Sequence, residues 1–268
     1  MLIVYSSAHL IGTILWLFIL SIDNGKFWRI SKSTRYDIHK SKLTSRYNFN
    51  VGLMSQMSSI QFALIAGQLV TIFISSRRVI IRERSSGMYR PELAYFAKVL
   101  ALIPLRLVST LLFGIIVYYL AGLRTDSFTY FLIFMGFMTL INLNMVFLGA
   151  AISALGESIG TVILYTVILA IGFFIFSGVS VRIPDITPIL SWIRFLSPYY
   201  YALTGLIQNE TIGLTIAGKP GVAFLDEFAV NEMSIMWSAG GLMISMVVYL
   251  VLGLLGFMLR TQPKYIVI

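Results

Sequence analysis

No cysteine occurs anywhere in the 268 residues, which excludes disulfides, thiolate nucleophiles and thiolate-bound metal. Histidine is almost as scarce. His9 and His39 are the two imidazoles, too few for the multi-histidine metal centre of a membrane desaturase. Charged residues make up 12% of the chain, about half the usual share in a soluble domain. No aspartate lies within an apolar run, no histidine stands near a GxSxG-like serine, and no GxxxxGK[ST] phosphate loop occurs. The chain therefore reads as a non-enzyme that binds no metal and no cofactor of its own.

What it has in abundance is apolar surface. Hydrophobic residues reach 58% and the mean hydropathy is +0.87, which identifies an all-α polytopic membrane protein. Six runs are long enough to cross a bilayer: 2–20, 52–75, 93–121, 128–153, 158–181 and 237–259. The first lacks a basic flank and a small-residue cleavage site, so it reads as a span rather than a cleaved signal. Trp16, Trp28, Trp192 and Trp237 fall near predicted ends, where amphipathic rings prefer the interface. No internal repeat is visible. The organisation expected is a first helix plus basic link over 1–51, then one membrane domain over 52–268 with an external cap at 182–236.

The formal net charge of +9 does not point to nucleic acid, because no basic stripe is interleaved with exposed aromatics. The excess sits beside apolar runs, where basic residues face the cytoplasm or anionic headgroups of the lipid bilayer. The link 76–92 carries Arg77, Arg78, Arg82, Arg84 and Arg90 and reads as cytoplasmic. The link 21–51 is also basic, yet it cannot share that side if 52–75 crosses once; its side stays open on this count.

Several constellations carry candidate roles. Arg82-Glu83-Arg84-Ser85-Ser86-Gly87-Met88-Tyr89-Arg90 suits a short interfacial helix before a glycine turn. It reads either as a surface for a cytosolic partner, with Glu83 paired to an arginine of another helix, or as a topology anchor. Lys98 and Arg106 flank Pro104, which is expected to separate an interfacial helix 93–102 from the true span; both charges are expected to snorkel. Gln61 with Gln68, and Asn142 with Asn144, line a path or hydrogen-bond helices together. Gly156 and Gly160 read as turn chemistry. Asn209-Glu210-Thr211 is a weak glycosylation sequon. From Phe173 to Glu210 an apolar run breaks at Phe176-Ser177-Gly178, Pro184, Pro188 and Ser197-Pro198. Its two apolar pieces are too short to span. Such broken backbone belongs where protein buries it or where it lines a cavity.

Taken in order, these motifs carry a family likeness. From about Gly52 to Arg260 the chain resembles the membrane domain of the G subfamily of ABC transporters, the White-type half-transporters, an ABC-2 type membrane domain. One matching run extends from Arg82 through Tyr95-Phe96-Ala97-Lys98 to Pro104 and Val117–Leu123. A second comprises Phe176-Ser177-Gly178, Pro184, Trp192, Ser197-Pro198-Tyr199 and Ala202 to Glu210; a weaker third joins Gly221–Leu225 to Trp237. The resemblance implies six transmembrane helices, an interfacial coupling helix and a re-entrant extracellular cap after helix 5. It implies coupling to an ATPase domain through Arg82, Glu83, Arg84 and Tyr89. It also implies a substrate path at Gln61, Phe62, Asn142 and Phe176, and an outer gate at Val179 and Ser180, where family members often place bulky leucines. The expected partners are another half-transporter, in a homo- or heterodimer, and a nucleotide-binding domain in cis or in trans. ATP and magnesium are expected there. The expected location is the plasma membrane or an organelle membrane. Two readings follow: the membrane half of an exporter of lipids, sterols or other amphipathic molecules, or an ATPase-less scaffold that dimerises with full half-transporters.

Overall fold

The computed structural model describes residues 73–74, 76, 79–120, 123–124, 126–177, 190–212, 215–216, 219–220 and 233–261. Five α-helices make up most of these: α1 Pro91–Leu120, α2 Phe128–Leu155, α3 Ile159–Ile175, α4 Pro198–Thr211 and α5 Ile235–Arg260. A 3-10 helix, Ser191–Leu196, precedes α4. The two-residue strands β1 Thr215–Ile216 and β2 Lys219–Pro220 pair antiparallel after it. The predicted run 2–20, the link 21–51, most of 52–75 and most of the cap 182–236 lie outside the described residues.

Three helices, α1, α2 and α5, are long and apolar enough to cross a membrane, close to the expected 93–121, 128–153 and 237–259. Their apolar residues divide by position. α2 is buried along most of its length, while α1, α3 and α5 turn outward such residues as Val108, Leu112, Ile163, Ile168, Ile244 and Leu252. In a membrane, outward apolar side chains gain little from leaving water, so tight packing and buried hydrogen bonds fix the helices. Close packing is plainest at Gly253, where a Cβ would come within 2.2 Å of the Tyr95 hydroxyl and 3.1 Å of the Ala151 backbone. Midway along the helices, Asn144 Nδ2 donates to Leu242 O at 2.9 Å, and Ser245 Oγ donates to Asn144 Oδ1 at 2.7 Å. These bonds join α2 to α5.

Two expectations are corrected. α1 runs unbroken through Pro104, which lies on its exposed face. Helices in apolar surroundings tolerate proline where local adjustment satisfies the freed carbonyl. Arg106 consequently falls near the middle of α1 and is buried instead of snorkelling. Lys98 is half-buried, with its Nζ 5.8 Å above the Phe73 ring. In addition, α3 ends at Ile175 after 17 residues, short of the run read over 158–181. The turn between α2 and α3 is as the glycine spacing implied: Gly156 ends α2, and Ser158 caps α3 in a reciprocal box with Thr161.

Helix α4 occupies a position that composition alone does not announce. Every residue from Pro198 to Thr211 except Tyr201 is buried, including Gln208, Asn209 and Glu210. Gln208 Nε2 donates to Met233 O, Tyr201 lies against Gly241, and Tyr249 Oη donates to Leu196 O at 2.8 Å. As the α4 number falls the α5 number rises, so the two helices run antiparallel. Tyr249 is fourteen residues into α5, about 21 Å along its axis at the α-helical rise. The start of α4 therefore stands beside the middle of a membrane-length helix. Ser197 Oγ donates to Phe173 O at 3.2 Å, which joins that start to the end of α3.

Candidate functional site

Two clusters of polar side chains stand at opposite ends of the bundle. The first surrounds the segment 79–90. Helical backbone over 79–85 ends in a turn in which Met88 N donates to Glu83 O at 3.2 Å and Gly87 N to Arg84 O at 3.0 Å. That pair of bonds is the Schellman pattern, and it requires a left-handed residue at the position Gly87 fills with φ +73°. Tyr89 Oη donates to Glu83 Oε2 at 2.5 Å across the same turn. The bond to Glu83, with burial and the Glu83 charge adding to it, pushes the Tyr89 phenol up to about 12. Glu83 is thus engaged by Tyr89 among the described residues, and not by an arginine from another helix. Arg82 is exposed. Arg84 turns inward, where Nη1 donates to Thr261 Oγ1 at 3.1 Å and Met258 O at 3.3 Å. The four predicted coupling residues share one turn, but they face different ways.

The same end gathers the other helix termini. Phe73, Tyr95 and Phe257 pack ring on ring, with centroids 5.3–5.7 Å apart. Arg260 Nη1 meets Glu157 Oε1 at 3.0 Å in the link between α2 and α3. This end carries the basic motif and is called the basic end below.

The second cluster, at the far end, was not legible as a site. The Arg124 backbone N–H donates to both carboxylate oxygens of Glu210, at 3.1 and 3.2 Å. The Arg124 guanidinium donates to Ile212 O at 2.6 Å and Asp126 Oδ2 at 2.9 Å, and lies 3.9 Å above the Tyr130 ring. Tyr118 Oη donates to Arg124 O. Together these bonds clasp the end of α4 to the link between α1 and α2. A faint signal existed: an Asn-Glu pair closing an otherwise apolar stretch, and one arginine in a short link. Asn209 belongs to this clasp, 3% exposed, with Nδ2 donating to Tyr130 O at 3.0 Å. The folded helix leaves no room for a glycan on that nitrogen, and the sequon reading is withdrawn.

Of the predicted path and gate, Gln61, Phe62, Val179 and Ser180 lie outside the described residues. Asn142 is buried in α2, and its Oδ1 has no hydrogen-bond partner among the described residues. Phe176 is half-buried at the end of α3, its N–H returned to Gly172 O. Among the described residues no three His, Asp or Glu side chains gather as metal ligands would.

The family model described as ABC-2 type transporter matches residues 4–211. The chain belongs to the ABC-2 type transporter family of membrane domains. It is 27% identical over 219 residues to a probable ATP-dependent permease of Saccharomyces cerevisiae, covering 76% of this chain and 21% of that protein. It is 30% identical over 204 residues to ABC transporter G family member 24 of Dictyostelium discoideum, covering 69% and 17%. It is 31% identical over 150 residues to the broad substrate specificity ATP-binding cassette transporter ABCG2 of Bos taurus, covering 54% and 22%. The matched region spans about a fifth of the length of these three relatives. As an ABC-2 membrane domain, this is an integral membrane protein and a component of a transport system.

Proposed function

We propose that this chain is the membrane-spanning half of an ATP-driven exporter of lipids, sterols or other amphipathic molecules. The observation that carries the reading is the family match over 4–211. The relatives' names, a probable ATP-dependent permease, a multidrug transporter and a broad substrate specificity ATP-binding cassette transporter, support ATP as the energy source and a broad range of cargo. In this reading the basic end faces the cytosol, and Arg82, Glu83, Arg84 and Tyr89 belong to the segment on which an ATPase domain acts, in cis or in trans. ATP and magnesium reside on that domain, in keeping with the missing phosphate loop. Gln61, Phe62, Asn142 and Phe176 line the path, and Val179 and Ser180 form its outer gate. The working unit is a dimer with a second half. Closure of the ATPase domains favours the state open to the far side, and release favours the other.

The test reconstitutes the chain in vesicles with and without an ATPase-bearing half-transporter and follows ATP-dependent export of fluorescent phospholipid, sterol and dye. Export that needs both the partner and ATP is expected, and Glu83→Ala should abolish it without lowering expression. Stable dimerisation with no export of any cargo would overturn the exporter reading in favour of a modulatory scaffold.

A further inference from the structure

We infer that Arg84 does not dock the ATPase domain but fastens the 79–90 segment to the last turn of α5, so that α5 receives the movement of that segment; the inference rests on the coupling reading proposed above. By covalent connection alone a push on 79–90 would pass to its chain neighbours, among them α1, which starts at Pro91. The hydrogen bonds point elsewhere. Arg84 reaches Met258 and Thr261, 174 and 177 residues away in sequence. The last carbonyls of a helix lack intrahelical donors and carry the negative end of its dipole. A guanidinium is well matched to that end, and the buried Thr261 supplies a second anchor. Thr261 is itself held by its N–H and Oγ1, both donating to Phe257 O at 3.0 and 2.7 Å.

The segment is built to move as one piece. The Schellman turn at Gly87 and the Tyr89–Glu83 bond lock Arg84 to its neighbours. Arg82, Ser85, Ser86 and Met88 remain exposed for a partner to press on. The receiving helix is equally constrained. Gly253 rests on Tyr95 and Ala151, and Gly256 on Leu155, where an added Cβ would come within 2.6 Å of the leucine side chain. A shift of the final turns of α5 would therefore press on Tyr95 of α1 and on Ala151 and Leu155 of α2. Arg260 extends the chain of contact to Glu157, one residue before the α3 cap. That ion pair is exposed and is the weaker link. Arg84 is thus a positioning residue that acts through α5.

The experiment uses the full chain reconstituted with an ATP-hydrolysing half-transporter, with ATP turnover and dye export read on the same vesicles. Arg84→Ala should leave ATP turnover within about twofold and lower export per ATP about tenfold, the scale of losing a charged hydrogen bond. Thr261→Val should act in the same direction, and the double variant should be no worse than Arg84→Ala alone. Arg84→Lys should fall between Arg84→Ala and the unaltered chain. Because the chain has no cysteine, nitroxides can be placed cleanly through Ser86→Cys and Leu259→Cys. Their separation should stay constant between nucleotide-free and ATP-trapped states, and should change with ATP once Arg84→Ala is added. Proportional loss of ATP turnover and export, no loss of either, additive effects of the two substitutions, or a nitroxide separation indifferent to Arg84→Ala would each overturn the inference. Absence of ATP-dependent export by the unaltered chain would instead overturn the coupling reading beneath it.

Discussion

The two ends of this bundle are held by different chemistry. At the basic end, long and partly exposed side chains reach between elements, Arg84 to α5 and Arg260 to Glu157, and Tyr89 closes the turn onto Glu83. Water can replace the exposed Arg260–Glu157 pair when it parts, so separating it costs little, whereas Arg84 bonds to a buried threonine and holds. At the far end, Glu210, Asn209 and Gln208 are buried on α4 and bonded to Arg124, Tyr130 and Met233. Parting those groups without water would leave polar atoms unsatisfied, which is far more expensive. The exposed rim of the basic end is suited to being remade repeatedly around the Arg84 fastening. The far end holds or fails as a unit.

This contrast is broken most severely by Glu210→Ala, which strips the Arg124 N–H of its acceptor. A loss of about 2–4 kcal/mol is expected, read as a lower midpoint in reversible SDS unfolding. Gly205→Leu attacks the same helix through packing, since even a Cβ there would meet the Phe137 ring at 2.2 Å. It should cost about 1–3 kcal/mol in the same assay. At the basic end, Gly87→Ala forces a left-handed turn on an L side chain, with an expected cost of about 1 kcal/mol. The pH dependence of the Tyr89–Glu83 bond sharpens the comparison further. The phenol is held protonated to about 12 in the folded chain against about 10 when unfolded. Its contribution is therefore complete below about pH 10 and lost as pH rises through about 12. The tyrosinate absorbance difference between the unaltered chain and Tyr89→Phe should titrate near the upper value, and Glu83→Gln should lower it. Glu157→Ala should have the smallest effect, below about 1 kcal/mol; a larger loss would mean that the exposed rim of the basic end is not compliant.

Legibility in the sequence followed the physics of each segment. α1, α2 and α5 could be read because long apolar runs have few alternatives to spanning. Pro104 misled because proline breaks helices in water more sharply than in lipid. α4 was read as part of a re-entrant extracellular cap, whose broken backbone is buried by protein or lines a cavity, but the partners of its Gln-Asn-Glu end were not legible. Its burial depends on donors and carbonyls at Arg124, Tyr130 and Met233, which no local pattern reports. The position of Arg84 in the coupling motif was visible, but its direction was not, since its partners lie at the opposite end of the chain.

The placement of α4 has a consequence for how the protein is made. Its polar end cannot enter lipid unaccompanied, and Met233, Gly241 and Tyr249, against which it seats, are all translated after it. Its end can meet Arg124 and Tyr130 as soon as it is made, but its packing is complete only when α5 arrives. A ribosome that stops before residue 233 would release a product in which Asn209 and Glu210 can meet Tyr130 and Arg124, but Gln208 lacks Met233 and the face of α4 that packs on Gly241 and Tyr249 lacks α5. Quality-control proteases could recognise such a product before it ever met a partner.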